Sequence, residues 1–185
     1  MEHDLESILL TGEQIQSRVR ELANLIAEDY MADGGMDARG PVVVCILKGA
    51  VMFYADLIRF MPIPISIDFI SISSYGSKTA SSGEVSLKKD LDGKIEGRVV
   101  LIVEDIVDSG LTLSYLLRML SARNPRSLKV AALLDKPSRR RVPFQADYIG
   151  FAIEDKFVVG YGLDFDQLYR NLPMIGVLKP ECYEP

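Results

Sequence analysis

The sequence predicts an α/β fold with a mainly parallel central sheet flanked by helices. Apolar, β-branched runs at 42–47 and 99–103 do not alternate with polar residues, as expected of strands covered on both faces. Between such runs stand stretches with helical periodicity, for example 15–30, where apolar residues recur every three or four positions. Strands and helices therefore alternate along the chain, whose 185 residues suit a single domain over 1–185.

Local signals set the expected limits of the elements. Thr11 and Gln14 form a capping-box pattern before the first helix, which Gly34–Gly35 is expected to end. The segment 74–97 is rich in Ser, Gly and Lys and is predicted to leave the core, with a short strand-like piece at 85–87. The other predicted elements are strands at 42–47, 65–73, 99–103, 128–134 and 148–153, and helices through 53–57 and over 113–122.

Composition excludes several classes of protein. The net charge of −5 disfavours a protein that coats nucleic acid, and no apolar run approaches the roughly 20 residues of a membrane span. The acidic N-terminal sequence lacks the basic region of a signal peptide, so we expect a cytoplasmic protein with neither a nucleic-acid nor a membrane partner. His3 is the single histidine, and Cys45 and Cys182 have no spaced partners, which disfavours a His-based metal site, a Ser-His-Asp triad and a disulfide.

The stretch VVLIVEDIVDSGLT, residues 99–112, carries the strongest chemical signal. Glu104 and Asp105 follow its apolar run, at the strand end where open α/β sheets bind ligands. The turn 108–112 precedes a helical pattern, so its free N–H groups and the helix dipole offer a phosphate site. Capping and turn formation explain each turn residue taken singly. Carboxylates for a cation beside N–H groups for an anion together predict a metal-assisted phosphate site.

The same stretch resembles the phosphoribosyl-diphosphate-binding motif of the type I phosphoribosyltransferases, and VEDIVDSGLTL resembles their hypoxanthine-guanine branch. The similarity extends over most of the chain. The resemblance implies that Glu104 and Asp105 bind the ribose hydroxyls together with Mg²⁺. It also implies that Asp108 is the catalytic base for the proton on purine N7. The 5′-phosphate would be bound by Asp108, Ser109, Gly110, Leu111 and Thr112, with Leu111 contributing only its backbone.

Two further matches concern the pyrophosphate leaving group. Alone, Leu47–Lys48–Gly49 is typical of an ordinary strand-helix turn, but it resembles the family's pyrophosphate loop. Lys48 and Gly49 are therefore expected to hold pyrophosphate, with a cis 47–48 peptide in some ligand states. Arg170 matches a pyrophosphate-binding arginine, whose planar fork suits phosphate oxygens.

The flexible loop and the purine site are also assigned by resemblance. Ser74 and Tyr75 match the loop, expected over 74–97, that closes over the reacting centre and excludes water. The segment 154–185 is expected to form part of a purine-binding hood, and the N-terminal helix and C-terminal tail to form a small lid.

Lys136 lies in a Lys-Pro pair that is otherwise typical of a solvated turn, and the basic run 138–141 is interpreted as surface. By resemblance, Lys136 donates to the purine O6, and an ammonium that can only donate selects 6-oxopurines. The motif DKFVVGYGLD, residues 155–164, is a weak nucleotide-loop signal by itself. In the family pattern, Phe157 stacks on the base and the Val158 backbone reads its edge. Asp164 contributes to the purine site and, with Glu104 and Asp105, to magnesium binding.

The implied activity is transfer of the 5-phosphoribosyl group from 5-phosphoribosyl 1-diphosphate to N9 of hypoxanthine and guanine in purine salvage, with Mg²⁺ as cofactor. A homodimer or homotetramer is expected by resemblance. The alternatives are an RNA-binding regulator of the same fold, a xanthine-preferring enzyme, and a magnesium-dependent phosphatase or kinase. The last is disfavoured because Asp105 and Asp108 lack DxD spacing and no GKS/T loop occurs. The sequence does not rank hypoxanthine, guanine and xanthine.

Overall fold

The computed structural model describes residues 1–32, 39–75 and 84–183. The strands are β1 (Leu5–Leu10), β2 (Val42–Leu47), β3 (Ser66–Tyr75), β4 (Glu84–Lys89), β5 (Val99–Val107), β6 (Ser127–Asp135), β7 (Tyr148–Ala152), β8 (Val158–Val159) and β9 (Ile175–Leu178). The helices are α1 (Gly12–Ala32), α2 (Val51–Phe60) and α3 (Leu111–Ser121). Within these ranges no helix is both long and apolar enough to cross a membrane.

A six-stranded sheet in the order β4-β3-β2-β5-β6-β7 forms the centre of the molecule. Its five neighbouring strands from β3 to β7 run parallel, and only β4 is antiparallel, at the edge. The mainly parallel sheet predicted from sequence is therefore confirmed. Parallel strands present their carboxyl ends at one edge, so the loops after β2, β5 and β6 meet there.

The apolar strand runs are explained by a core on each face of this sheet. Val43 and Cys45 of β2 pack in the layer that contains α1 and α2, whereas Val44 packs in the layer that contains α3. Cys45 is buried as a free thiol, as predicted. Alternation between two buried faces leaves no polar position in the strand, which is why period-two patterning is absent.

The start of α1 is the predicted capping box. The Thr11 N–H donates to Oε1 of Gln14 at 2.8 Å, and the Gln14 N–H donates to Oγ1 of Thr11 at 3.3 Å. The sequence predicts that α1 ends at Gly34–Gly35, and these two residues lie outside the described residues; α1 is described as far as Ala32.

The terminal segments form a second, three-stranded sheet in the order β1-β9-β8. The expected contribution of the N-terminal helix to a terminal lid is wrong, because α1 packs against α2 and β7 of the main domain. Its place is taken by β1, which pairs antiparallel with β9 from Leu5 opposite Leu178 to Leu10 opposite Ile175. Six irregularly patterned residues whose partners lie near the other end of the chain give little local strand signal.

The strands β5 and β4 extend furthest beyond their predicted limits. β5 continues to Val107 because β6 remains paired with it after β2 stops pairing at Cys45 opposite Val103. β4 spans Glu84–Lys89, pairs with β3 and brings Leu87 against the core. The prediction that 74–97 leaves the core is therefore wrong for its second half, where Ile95 is also buried.

Candidate active site

Three loops meet at the carboxyl edge of the central sheet. A Cβ built on Gly49, just after β2, would lie 1.6 Å from Oδ2 of Asp105 in β5, so any other residue there would displace the Asp105 carboxylate. A Cβ on Gly162 would in turn lie 2.0 Å from the Gly49 carbonyl oxygen. The Lys136 N–H, after β6, donates to the Val107 carbonyl at 2.9 Å. The structure thus brings together the loops that sequence analysis assigned to leaving group, ribose and base.

Glu104 and Asp105 point to opposite sides of β5, because successive strand residues alternate between faces. Glu104 lines a cavity of about 110 Å³ in front of α3, whereas Asp105 rests against Gly49. The pair therefore divides the predicted site: one carboxylate faces the phosphate turn and the other faces the loop assigned to pyrophosphate.

Burial dominates the electrostatics of this pair. Burial raises the pKa of Asp105 to about 6, although the Ile106 N–H, which donates to Oδ1 at 2.7 Å, and nearby Arg170 both act in the other direction. Burial and the neighbouring Asp105 raise the pKa of Glu104 well above its ordinary value. A cation bound beside either carboxylate would stabilise its charged form.

The donor set fits magnesium only in part. In the described ranges, no three acidic, histidine or cysteine side chains converge on one point. Asp164 instead forms an ion pair with Arg170. Magnesium sites that bind phosphate substrates commonly use one or two carboxylates and complete the coordination shell with substrate oxygens and water. Glu104 and Asp105 can supply carboxylates of this kind.

The predicted pyrophosphate residues lie together around Gln167. The Leu47–Lys48 peptide is cis, as predicted. Nζ of the exposed Lys48 donates to Oε1 of Gln167 at 3.3 Å, and Nη2 of Arg170 donates to the same oxygen at 3.3 Å. Nη2 of Arg170 also lies 2.7 Å from Oδ1 of Asp164. Sequence reasoning missed Gln167, since a neutral surface amide gives no signal until the fold places it between two cations.

The phosphate turn has the predicted form. Gly110 adopts φ +79° directly before α3, a left-handed conformation that favours glycine. The cavity of about 110 Å³ is lined there by Asp108, Ser109 and Thr112. Each of the first N–H groups of α3 lacks an intrahelical acceptor, so this turn can bind an anion.

Asp108 and Lys136 are joined by a chain of alternating charges. Nε of Arg139 donates to Oδ1 of Asp108 at 3.1 Å, and Nη1 of Arg139 lies 3.6 Å from Oδ2 of Asp155. Oδ1 of Asp155 lies 3.7 Å from Nζ of Lys136, which also donates to the Lys156 carbonyl at 2.6 Å. Lys136 is only 8% exposed, and burial lowers its pKa while Asp108 and Asp155 oppose that change. Arg139, in the basic run interpreted as surface, is exposed as that interpretation expects and also joins this chain of charges.

An aromatic cluster surrounds Phe157, the residue predicted to stack on the base. The Phe157 ring stacks on the Tyr183 ring with centroids 4.5 Å apart and an interplanar angle of 16°. Phe165 meets Phe157 edge-on at 5.6 Å. Phe157 is still 38% exposed, and Val158 beside it is buried in β8. Tyr183 carries no local pattern near the chain end, so sequence reasoning missed it.

Ser74 and Tyr75 lie at the end of β3, where their backbones pair with Val85 and Glu84 of β4. Residues 76–83 of the predicted flexible loop lie outside the described residues. Closure of this loop over the site stays a prediction.

Comparison with known proteins identifies the family. A family described as "Phosphoribosyl transferase domain" matches residues 7–166. The chain belongs to the phosphoribosyltransferase family. This phosphoribosyltransferase is 50% identical over 184 residues to the hypoxanthine-guanine phosphoribosyltransferase of Bacillus subtilis (strain 168), covering 100% of this chain and 99% of that protein. It is 52% identical over 181 residues to the protein of the same name from Mycobacterium avium, covering 98% and 89%.

The fold agrees with these similarities. The crystal structure of a hypoxanthine phosphoribosyltransferase from Staphylococcus aureus superimposes with a TM-score of 0.93 at 47% identity, covering 100% of this phosphoribosyltransferase and 97% of that chain. The type I phosphoribosyltransferase fold predicted from sequence is therefore confirmed.

The raised pKa of Asp105 predicts how stability depends on pH without divalent cations. The folded carboxyl keeps its proton from the ordinary value of 3.8 up to about 6, so the folded state binds more protons than the unfolded state in that window. The free energy of unfolding should therefore fall with rising pH there. Asp105→Asn removes the carboxyl yet keeps an oxygen for the Ile106 N–H, so the variant should gain stability relative to the wild type across this window. Urea unfolding of both proteins in chelator measures the difference; parallel pH profiles would contradict the assigned burial.

Proposed function

We propose that this phosphoribosyltransferase acts in purine salvage, transferring the 5-phosphoribosyl group of 5-phosphoribosyl 1-diphosphate to N9 of hypoxanthine and of guanine. The observation that carries the proposal is a buried ammonium, Lys136, set at a strand end beside an exposed aromatic platform, Phe157. The names of the Bacillus subtilis and Mycobacterium avium relatives support the same substrates.

Purine recognition rests on donor chemistry. An ammonium has three N–H groups and no acceptor, and the Lys156 carbonyl takes one of those N–H groups of Lys136. The others can donate to a 6-oxo group but have no match in a 6-amino group. The base would lie on the open face of Phe157, with the Val158 backbone at its edge. The small sheet of β1, β9 and β8, together with the rest of 154–185, would cover it as a hood.

The leaving group would be held by Lys48, Gly49 and Arg170. Pyrophosphate departs with substantial negative charge, and two cations fixed beside Gln167 stabilise that charge more strongly in the transition state than in the ground state. Magnesium, held by Glu104 and Asp105 with Asp164 nearby, would supply Lewis-acid stabilisation of the same charge. The turn 108–112 would hold the 5′-phosphate and so fix C1′ of the ribose.

Asp108 would be the base that manages the purine proton. The reaction needs no covalent nucleophile, because positive charge develops on the ribosyl ring as pyrophosphate leaves and N9 approaches. Asp108 lines the cavity of the turn 108–112 and accepts a hydrogen bond from Arg139, so it adjoins both the proposed phosphate site and the Lys136 network. Closure of Ser74 and Tyr75 would exclude water from the reacting ribosyl centre.

The proposal includes a cytoplasmic setting and a homodimer or homotetramer. Sedimentation of the purified protein at several concentrations measures the assembly directly, and a monomer at all of them would contradict this part alone.

A substrate panel tests the activity. The protein, magnesium and the diphosphate sugar are incubated with hypoxanthine, guanine, xanthine, adenine or uracil, and nucleotide formation is followed. We expect IMP and GMP, at least 10-fold less product from adenine because its 6-amino group leaves Lys136 without an acceptor, and none from uracil. A dominant xanthine product would favour a xanthine-preferring enzyme, and no product from any base would contradict the proposal.

Asp108→Asn tests the proton-handling role. Turnover should fall by about 10²–10⁴, the usual contribution of general acid-base catalysis. Binding of the diphosphate sugar, measured by calorimetry, should persist because the backbone N–H groups of the turn remain. Arg118→Ala, on the exposed side of α3, is the matched control and should leave turnover unchanged. Undiminished turnover of Asp108→Asn would remove this residue from the mechanism.

A further inference from the structure

Segment 136–141 donates hydrogen bonds to three successive carbonyl groups at the start of the phosphate turn, those of Val107, Asp108 and Ser109. The Lys136 N–H donates to the Val107 oxygen at 2.9 Å, and the Arg141 N–H donates to the Ser109 oxygen at 3.0 Å. Nη1 of Arg140 donates to the Val107 oxygen at 3.2 Å and also to the Asp108 oxygen. The middle carbonyl of the three thus depends on a side chain.

Arg140 is itself tightly held. Its Nη2 forms an ion pair with Oδ1 of Asp135, the last residue of β6, and its Nε donates to the Phe144 carbonyl at 3.0 Å. Asp135 is only 6% exposed, so the pair is desolvated, and removal of either partner leaves the other charge uncompensated. A Cβ built on Gly110 would lie 3.2 Å from Cδ of Arg140, which places the arginine stem directly behind the glycine that starts α3.

This arrangement fixes the direction of the turn's N–H groups. In a planar trans peptide the C=O and the N–H point in opposite directions. With the carbonyls of Val107, Asp108 and Ser109 directed to Arg140 and its neighbours, the N–H groups of Asp108, Ser109 and Gly110 point the other way. Those residues line the cavity assigned to the 5′-phosphate.

We propose that Arg140, held by Asp135, is a positioning residue that turns these N–H groups towards the phosphate. The proposal rests on the function proposed above and adds a residue to it. Arg140 is not among the residues that line the cavity, so it would act through the backbone. A guanidinium suits this position because its rigid fork can serve two carbonyls and a carboxylate at once, which an ammonium cannot do with the same geometry. Lys136 and Arg139 lie in the same segment, so segment 136–141 also joins the proposed base site to the proposed phosphate site.

The experiment compares a ligand that has the 5′-phosphate with one that lacks it. Binding of GMP and of guanosine is measured by calorimetry for the wild type, Arg140→Gln, Arg140→Lys and Asp135→Asn. Arg140→Gln should weaken GMP binding about 10- to 100-fold, the scale of one or two hydrogen bonds involving a charged group, and leave guanosine binding within about twofold. Arg140→Lys should retain part of the GMP affinity, and Asp135→Asn should fall between the wild type and Arg140→Gln.

Arg141→Ala is the matched control, because its side chain is exposed and its bond to Ser109 uses the main-chain N–H, which the variant keeps.

In steady-state assays, Arg140→Gln should raise KM for the diphosphate sugar by a similar factor and leave KM for hypoxanthine unchanged. Equal losses of GMP and guanosine, or no loss of GMP in any variant, would overturn the positioning role. Should Arg140→Gln fail to fold, the comparison of Arg140→Lys with Asp135→Asn decides by the same criterion. Failure of the proposed function would be seen separately, as a wild type that binds GMP but forms no nucleotide.

Discussion

Glu104 and Asp105 are consecutive carboxylates at the partly buried end of β5, and they constrain what can lie opposite them because burial disfavours their charged forms. Because they alternate across β5, one faces the phosphate cavity and the other faces Gly49. The glycine lets the loop after β2 approach the Asp105 carboxylate, and Gly162 lets the next loop approach Gly49. Arg170 supplies the nearest opposing charge that acts on Asp105. The acid pair thus needs both close backbone contact and positive charge, and the site provides each.

The segment 135–141 is the second organising feature, since it binds both halves of the site. Lys136 donates to the Lys156 carbonyl beside Phe157, Arg139 pairs with Asp108, and Arg140 donates to the Asp108 carbonyl. A displacement of this segment would therefore move the proposed base site, Asp108 and the turn 108–112 together. The extension of β5 beyond its pairing with β2 is paired with β6, and the segment follows directly from β6.

Local sequence patterns predicted the central sheet because it rests on short-range information, whereas most of the site residues were assigned only by resemblance to the family. A few neighbouring residues determine the local conformation in the apolar runs of β2 and β5, in the capping box at Thr11 and at Gly110. The small sheet escaped prediction, since β1 acquires its partner only through tertiary folding.

The missed site residues have the same cause. Arg139, Gln167 and Tyr183 gain their roles from partners 31, 119 and 26 positions away, Asp108, Lys48 and Phe157 respectively. A basic run, a neutral amide and a terminal tyrosine are each ordinary surface features until those partners are in place. Arg140 was likewise grouped with the surface run, although it is largely buried against Asp135.

We propose that Glu104 and Asp105 bind the diphosphate sugar only together with a cation. The most direct measurement is calorimetric binding of 5-phosphoribosyl 1-diphosphate to the wild type and to the double variant Glu104→Gln/Asp105→Asn, each with magnesium and with chelator. The wild type should bind the diphosphate sugar at least 10-fold more tightly with magnesium, because the protein carboxylates and the diphosphate oxygens together complete the coordination shell of the ion. The double variant should show no such difference. Equal wild-type affinity in magnesium and in chelator would contradict the account.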